Sequence, residues 1–180
     1  MNTKQALYDM AMDSGCTAAG WVEKDQLIVR QEVRDICAGN GCGKYGTTWS
    51  CPPGLGTLEE CRAKLMRYEN FLLFSRKSDL EDSFDYEGMM EGHRAFAETA
   101  ERFHEKLRKT GLDYCLLSNE GCTRCKKCTY PDAPCRFPED QHGSLEGYGL
   151  IVADLAAAAG MKYINGKDTV TFFGMLMYNE

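Results

Sequence analysis

Leu7, Met10, Ala11 and Ser14 recur at helical spacing and Gly15 follows as a stop, so the pattern of apolar positions predicts a first helix over about residues 4–14. Ala18 to Val22 and Gln26 to Arg30 read as short strands. A glycine-rich loop from Cys37 to Gly56 follows, and Thr57 with Glu60 forms a capping box that opens a second helix. Leu58, Cys61, Leu65 and Tyr68 share one face of that helix, which turns Cys61 inward. Phe71 to Phe74 is a continuous apolar run of the kind required by a sheet covered on both faces.

A long amphipathic helix is predicted over about residues 89–109, with Met89, His93, Phe96, Ala100, Phe103 and Leu107 on one face and Gly111 ending it. The next strand is Leu112 to Leu117, and the alanine-rich run Leu150 to Ala159 reads as a helix closed by Gly160. Lys162 to Ile164 and Thr169 to Tyr178 are predicted to be strands joined around Asn165-Gly166. The last run has apolar residues at both parities, which places it in the middle of the sheet. The expected fold is α/β or α+β: one domain over residues 1–180, a mixed sheet with packed helices, and cysteine-rich loops at one end.

Composition narrows the function. The chain of 180 residues carries 21 basic and 27 acidic side chains, a net charge of −6, which argues against nucleic acid or an anionic membrane as the principal partner. The longest apolar run, residues 150–161, is broken by Asp154 and is too short to span a bilayer. The start is polar and lacks the apolar stretch of a secretory leader, so the cytoplasm is the expected compartment. Ten cysteines are the anomaly. In a reducing compartment, grouped cysteines point to metal ligands or redox centres and away from disulfides.

Eight of the ten fall into two groups. Cys122, Cys125, Cys128 and Cys135 have the spacing C-x2-C-x2-C-x6-C, in which the first three thiolates can wrap one corner of a [4Fe-4S] cubane and Cys135 can close the same cluster. Tetrahedral zinc ordinarily uses two Cys-x2-Cys knuckles with a longer spacer, and is the alternative metal. Cys37, Cys42, Cys51 and Cys61 form the other group, with Pro52-Pro53 stiffening the chain after Cys51. Cys61 is the weakest ligand of these four, since a small buried residue beside Leu58 and Leu65 needs no metal. Gly41-x-Gly43-x-x-Gly46 fits a dinucleotide fingerprint literally, but it does not lie between a strand and a helix.

Cys42-Gly43-x-Tyr45-Gly46 leading to Trp49-Ser50-Cys51-Pro52-Pro53, with Cys135-Arg136-Phe137-Pro138 and Phe172-Phe173-Gly174, resembles a bacterial and archaeal family of predicted metal-binding proteins, domain of unknown function 2284. The resemblance covers most of the chain and implies Cys37, Cys42, Cys51, Cys122, Cys125, Cys128 and Cys135 as metal ligands. It implies no substrate. After Pro138 the chain departs from the family pattern, with His142-Gly143 where an arginine-proline pair is expected.

Among the remaining residues, His93 is expected to be a core histidine, His104 a surface residue, and His142 a donor behind the ligands or a replacement ligand. Arg124, Lys126, Lys127 and Arg136 would offset the charge of a thiolate-bound cluster, while Tyr45 and Trp49 would shield one from water. The acidic stretch Asp79 to Glu87 is a solvated loop on which a redox partner can be steered. Cys16 and Cys115 are expected to be inert core residues. The function that follows is a cytoplasmic iron–sulfur protein with two four-cysteine sites, both [4Fe-4S], that exchanges electrons with an unidentified redox protein. The alternatives are a zinc-stabilised interaction module and an enzyme using one metal centre as a small-molecule substrate site.

Overall fold

The computed structural model describes residues 2–119 and 121–180. Helix α1 (Thr3–Met12) is opened by the Asn2 side chain, which accepts from the Lys4 amide, and leads through Gly15 into β1 (Ala18–Val22). Helix α2 (Gln31–Ala38) precedes the glycine loop, and α3 (Leu58–Met66) follows it behind the Thr57–Glu60 capping box. Strand β2 (Asn70–Asp79), the long helix α4 (Tyr86–Leu107) and β3 (Asp113–Ser118) come next. The chain ends with β4 (Gly143–Ser144), α5 (Val152–Ala158) and β5 (Thr169–Asn179).

The strands form one mixed sheet in the order β1-β2-β5-β3-β4. β5 pairs antiparallel with β2 (Leu72↔Leu176) and with β3 (Leu116↔Leu176), and it is therefore central, as its apolar residues at both parities require. β4 runs parallel to β3. Alternate residues of the strands feed two cores. Leu72, Phe74, Leu116, Leu176 and Tyr178 pack beneath Leu7 and Ala11 of α1 and Phe96, Ala100, Phe103 and Leu107 of α4. On the other face Phe71, Leu73, Leu117, Phe173, Met175 and Met177 meet Cys61 and Leu65 of α3 and Leu155 and Ala156 of α5. The result is an α+β domain of three layers.

Two expectations are corrected. Gln26 to Arg30 is not a strand: the chain leaves the sheet after Val22, Glu23 and Gln26 cap each other around one 3₁₀ turn at Lys24–Gln26, and the Arg30 amide donates to the Gly149 carbonyl. Lys162 to Ile164 also forms no strand. Tyr163 and Ile164 are exposed, and the Asn165 side-chain amide ties the Lys162 carbonyl and the Thr171 hydroxyl into a compact turn. Residues 31–38, outside the predicted helices and strands, are helical as α2, with Val33, Ile36 and Cys37 at helical spacing.

The position of the cysteine segments follows from this topology. β3 ends at Ser118, the segment from Cys122 to Cys135 leaves the sheet there, and the chain returns beside β3 as β4, with Ser118 opposite Ser144. The glycine loop reaches the same end of the sheet, where the Ser144 amide donates to the Ser50 carbonyl.

Candidate metal centre

Ser50 joins the two cysteine segments. It precedes Cys51, is 1% exposed, and its hydroxyl accepts from the Cys122 amide at 2.9 Å. The chain enters Cys122 through Gly121, at φ +72°, where a Cβ would stand 2.6 Å from Ser50 Oγ. Only glycine meets both conditions, the left-handed backbone and the close approach. Trp49 adds a second tie: its ring meets Tyr130 edge-on at 4.9 Å between centroids and its Nε1 donates to the Ala133 carbonyl at 3.0 Å.

Cys122, Cys125, Cys128 and Cys135 line one cavity of about 350 Å³, with Trp49, Phe137 and the cations Lys44, Arg124, Lys126, Lys127 and Arg136 around it. The segment is braced from within, because Thr129 Oγ1 donates to the Pro134 carbonyl, the Ala133 amide to the Thr129 carbonyl, and Arg136 to the Lys127 carbonyl. The Cys122 sulfur accepts from the backbone amides of Arg124, at 3.4 Å, and His142. Burial raises its thiol pKa, and these two donors oppose the rise.

Cys37, Cys42 and Cys51 line another cavity, of about 780 Å³, together with Glu146, Ser144 and Lys44. Cys37 leaves α2, Cys42 is exposed in the glycine loop, and Cys51 is 5% exposed with Ser144 Oγ 3.9 Å from its sulfur. Burial raises the Cys37 thiol pKa, and the neighbouring charges of Glu146, Cys42 and Cys51 raise it further. Cys61 sits in the apolar core beneath α3, its sulfur facing Arg34 Nη2 at 3.6 Å and the Leu55 carbonyl at 3.8 Å. Arg34 is itself fixed, donating to the carbonyls of Gly147 and Gly56 at 2.6 Å each.

Among the described residues no three His, Cys, Asp or Glu side chains converge as a ready metal-binding group. The donor sets nonetheless suit a soft metal: four thiols around the smaller cavity and three around the larger one, with cations beside the former. Thiols whose pKa is raised by burial, as at Cys37, Cys51 and Cys122, must give up their protons to a metal, so binding is coupled to pH.

The largest departure from sequence lies behind Cys122. His104, expected on the surface, is 2% exposed on the inner side of α4. Arg108 Nε donates to His104 Nε2 at 3.1 Å, which fixes that nitrogen as the acceptor and leaves Nδ1–H to donate to Tyr114 Oη at 3.2 Å. Asp140 is engaged by Arg108 and by Arg124, the latter at 3.4 Å, so its charge is held by the arginines and His104 stays neutral. Burial, then Arg108, hold the His104 pKa below its ordinary value. His142 stacks edge-on against His104 at 4.8 Å between ring centroids, its Nε2 buried and without a hydrogen-bond partner among the described residues. His93 is half-buried, edge-on to Phe172. No spacing in the sequence links residues 104, 108, 124, 140 and 142. The one available signal was the i,i+4 pair His104 and Arg108 near the end of a helix.

Cys16 lies in the core beneath α1, its thiol pKa pushed up to about 12 by burial, and Cys115 lies on β3 against the opposite core. Cys16→Ala and Cys115→Ser are expected to leave metal content unchanged by elemental analysis. Loss of a full metal complement in Cys115→Ser would show that it is a ligand.

No helix among the described residues is long and apolar enough to cross a membrane. A family model described as a predicted metal-binding protein, DUF2284, matches residues 20–178. No curated protein and no solved structure matches the chain.

Proposed function

Because the chain belongs to the DUF2284 family of predicted metal-binding proteins, we propose that its two cysteine segments hold [4Fe-4S] clusters and that it exchanges electrons with a redox protein. The observation that carries this reading is the set of four thiols at C-x2-C-x2-C-x6-C around one cavity of about 350 Å³. When bound, such clusters supply one-electron chemistry.

The chain's own residues set the conditions for it. Arg124, Lys126, Lys127 and Arg136 favour the more negative, reduced form, as do the Arg124 and His142 amides on the Cys122 sulfur, and both raise the potential. Trp49, Tyr130 and Phe137 limit water at the thiolates. The Ser50–Cys122 hydrogen bond sets the two segments side by side, and Lys44 lines both cavities, so an electron has a short way between them. The exposed acidic stretch around Glu81 and Asp82 suits a cationic face on the partner.

Anaerobically purified protein should be brown, with a broad visible absorption that bleaches on reduction by dithionite and a paramagnetic resonance signal in the reduced state. A colourless protein whose zinc is lost together with its fold would overturn this in favour of a zinc-stabilised interaction module.

A further inference from the structure

A groove of about 880 Å³ runs along α4 from Tyr86 to Glu101, with Asn119, Gly121, Cys122 and Thr123 forming its other wall. At 1.5 Å per residue that stretch of helix is about 22 Å long. Two stripes of α4 line it, each at helical spacing: Tyr86, Met90, His93, Ala97 and Ala100 form the inner stripe, and Glu87, Glu91, Arg94, Glu98 and Glu101 the outer one. Tyr86 is 70% exposed, and Phe84, just before the helix, is 91% exposed. With Met90, also exposed, they put a run of apolar side chains in water at one end of the groove, the mark of an interaction site.

The charges along the groove do not cancel. Arg94 is held by both carboxylate oxygens of Glu91, at 2.6 and 2.7 Å, and Arg124 by Glu101 at 3.2 Å and Asp140 at 3.4 Å. Glu87 and Glu98 are exposed and have no ion pair among the described residues, and Glu81 and Asp82, exposed before the helix, add to the negative field. His142 also lines the groove; it is 8% exposed, and its Nε2 is buried without a hydrogen-bond partner among the described residues. A peptide unit brings both an N–H and a C=O, and so satisfies that nitrogen in either tautomer. Cys122 and Arg124 line this groove and the four-thiol cavity alike, so an occupant of the groove lies against the Cys122–Cys135 centre.

We propose that the α4 groove is where the redox partner docks, by an extended basic segment whose apolar side chains lie on the inner stripe and whose lysines or arginines meet Glu87 and Glu98. The electron-transfer role of this contact rests on the cluster reading above; the binding itself does not. At about 3.3 Å per residue, about seven residues fill the groove, and the alternation of an extended chain sends every second side chain inward and the others to the acidic rim. The apolar contacts supply affinity, while the rim steers a cationic partner and turns away an anionic one. One electron then passes from the reduced Cys122–Cys135 centre to the oxidised centre of the partner.

The test titrates the anaerobically purified full chain, by calorimetry, with a seven-residue peptide amide of alternating lysine and leucine. Serine in place of its leucines should weaken binding about tenfold, and glutamate in place of its lysines should abolish it. Glu98→Lys and Met90→Ser should each weaken binding of the lysine–leucine peptide about fivefold; both positions are exposed, so the fold and Tm are kept. Glu59→Lys makes the same change of charge at an exposed site of α3 and should leave affinity unchanged. Hydrogen exchange at residues 121–124 should slow in the complex. The dithionite-reduced protein should pass electrons to cytochrome c, used as a cationic redox probe, about fivefold more slowly in Glu98→Lys than in Glu59→Lys. Equal affinity for the serine and leucine peptides, or equal weakening by Glu98→Lys and Glu59→Lys, would reduce the binding to net charge and overturn the site. Equal electron-transfer rates in the two lysine variants would overturn its redox role. A protein that binds the peptide but takes up no electrons from dithionite overturns the cluster reading itself, a result distinct from the others.

Discussion

Cys51→Ala is expected to release residues 39–47 into fast hydrogen exchange, while Cys125→Ala leaves both the sheet and that loop protected. Residues 37–56 hold six glycines, and fixing each residue costs on the order of 1–2 kcal/mol of backbone entropy. The loop's own backbone bonds close short turns, among them Gly43 to Asn40 and Gly46 to Pro52, and Cys42 is exposed. Its ordering is therefore expected to rest on ligation, because a metal held in the folded state stabilises that state. The second segment has Pro131, Pro134 and Pro138 and the brace of Thr129 on Pro134, so it loses less when a ligand is removed. Exchange in residues 39–47 should rise at least tenfold in Cys51→Ala, with a lower Tm. Equal losses in both variants, or none in the first, would show that Trp49 on Tyr130 holds the loop without metal.

The buried histidines give the second large effect. Asp140, 7% exposed, is the counter-charge for Arg108 and Arg124, and Asp140→Ala leaves both without it beside His104. Both arginines are more than a third exposed and can turn to water, so the cost is about 2 kcal/mol, a fall in Tm of about 4–8 °C. Acid acts on the same cluster. Burial first, then the neighbouring His104 and the charges of Arg108 and Arg124, depresses His142 to about 3, whereas the unfolded chain takes the proton at about 6.5. The depressed value means that stability present above pH 6.5 is lost as the pH falls from there towards 3. Between pH 6.5 and pH 5 that loss is about 2 kcal/mol for His142, and His104 adds to it in the same direction. Thermal unfolding at the two pH values should show this slope in the wild type and a flatter one in His142→Gln. Parallel slopes would mean that His142 is charged in the folded protein.

Most of the sheet was legible because its signals are local. Phe71 to Phe74 and Val170 to Met177 have apolar residues on both parities, a requirement of strands between two helical layers, and both lie in the middle of the sheet. Thr57 and Glu60 placed the start of α3 to the residue. Gln26 to Arg30 and Lys162 to Ile164 misled because side-chain caps, by Gln26 and Asn165, and not strand pairing, satisfy the backbone there. The cysteine spacings singled out both segments. They did not reveal that Ser50 binds the Cys122 amide, nor that Cys61 faces Arg34, since these contacts span 72 and 27 residues. His104 escaped for a similar reason, as its neighbours Tyr114 and His142 come to it from β3 and from the chain before β4.

The central claim is that these cysteines hold iron and sulfide, and the most direct measurement is iron, acid-labile sulfide and zinc per chain in one anaerobically purified sample. Two cubane sites predict about eight irons and about eight sulfides with no stoichiometric zinc; one or two zinc ions per chain and no sulfide would contradict it.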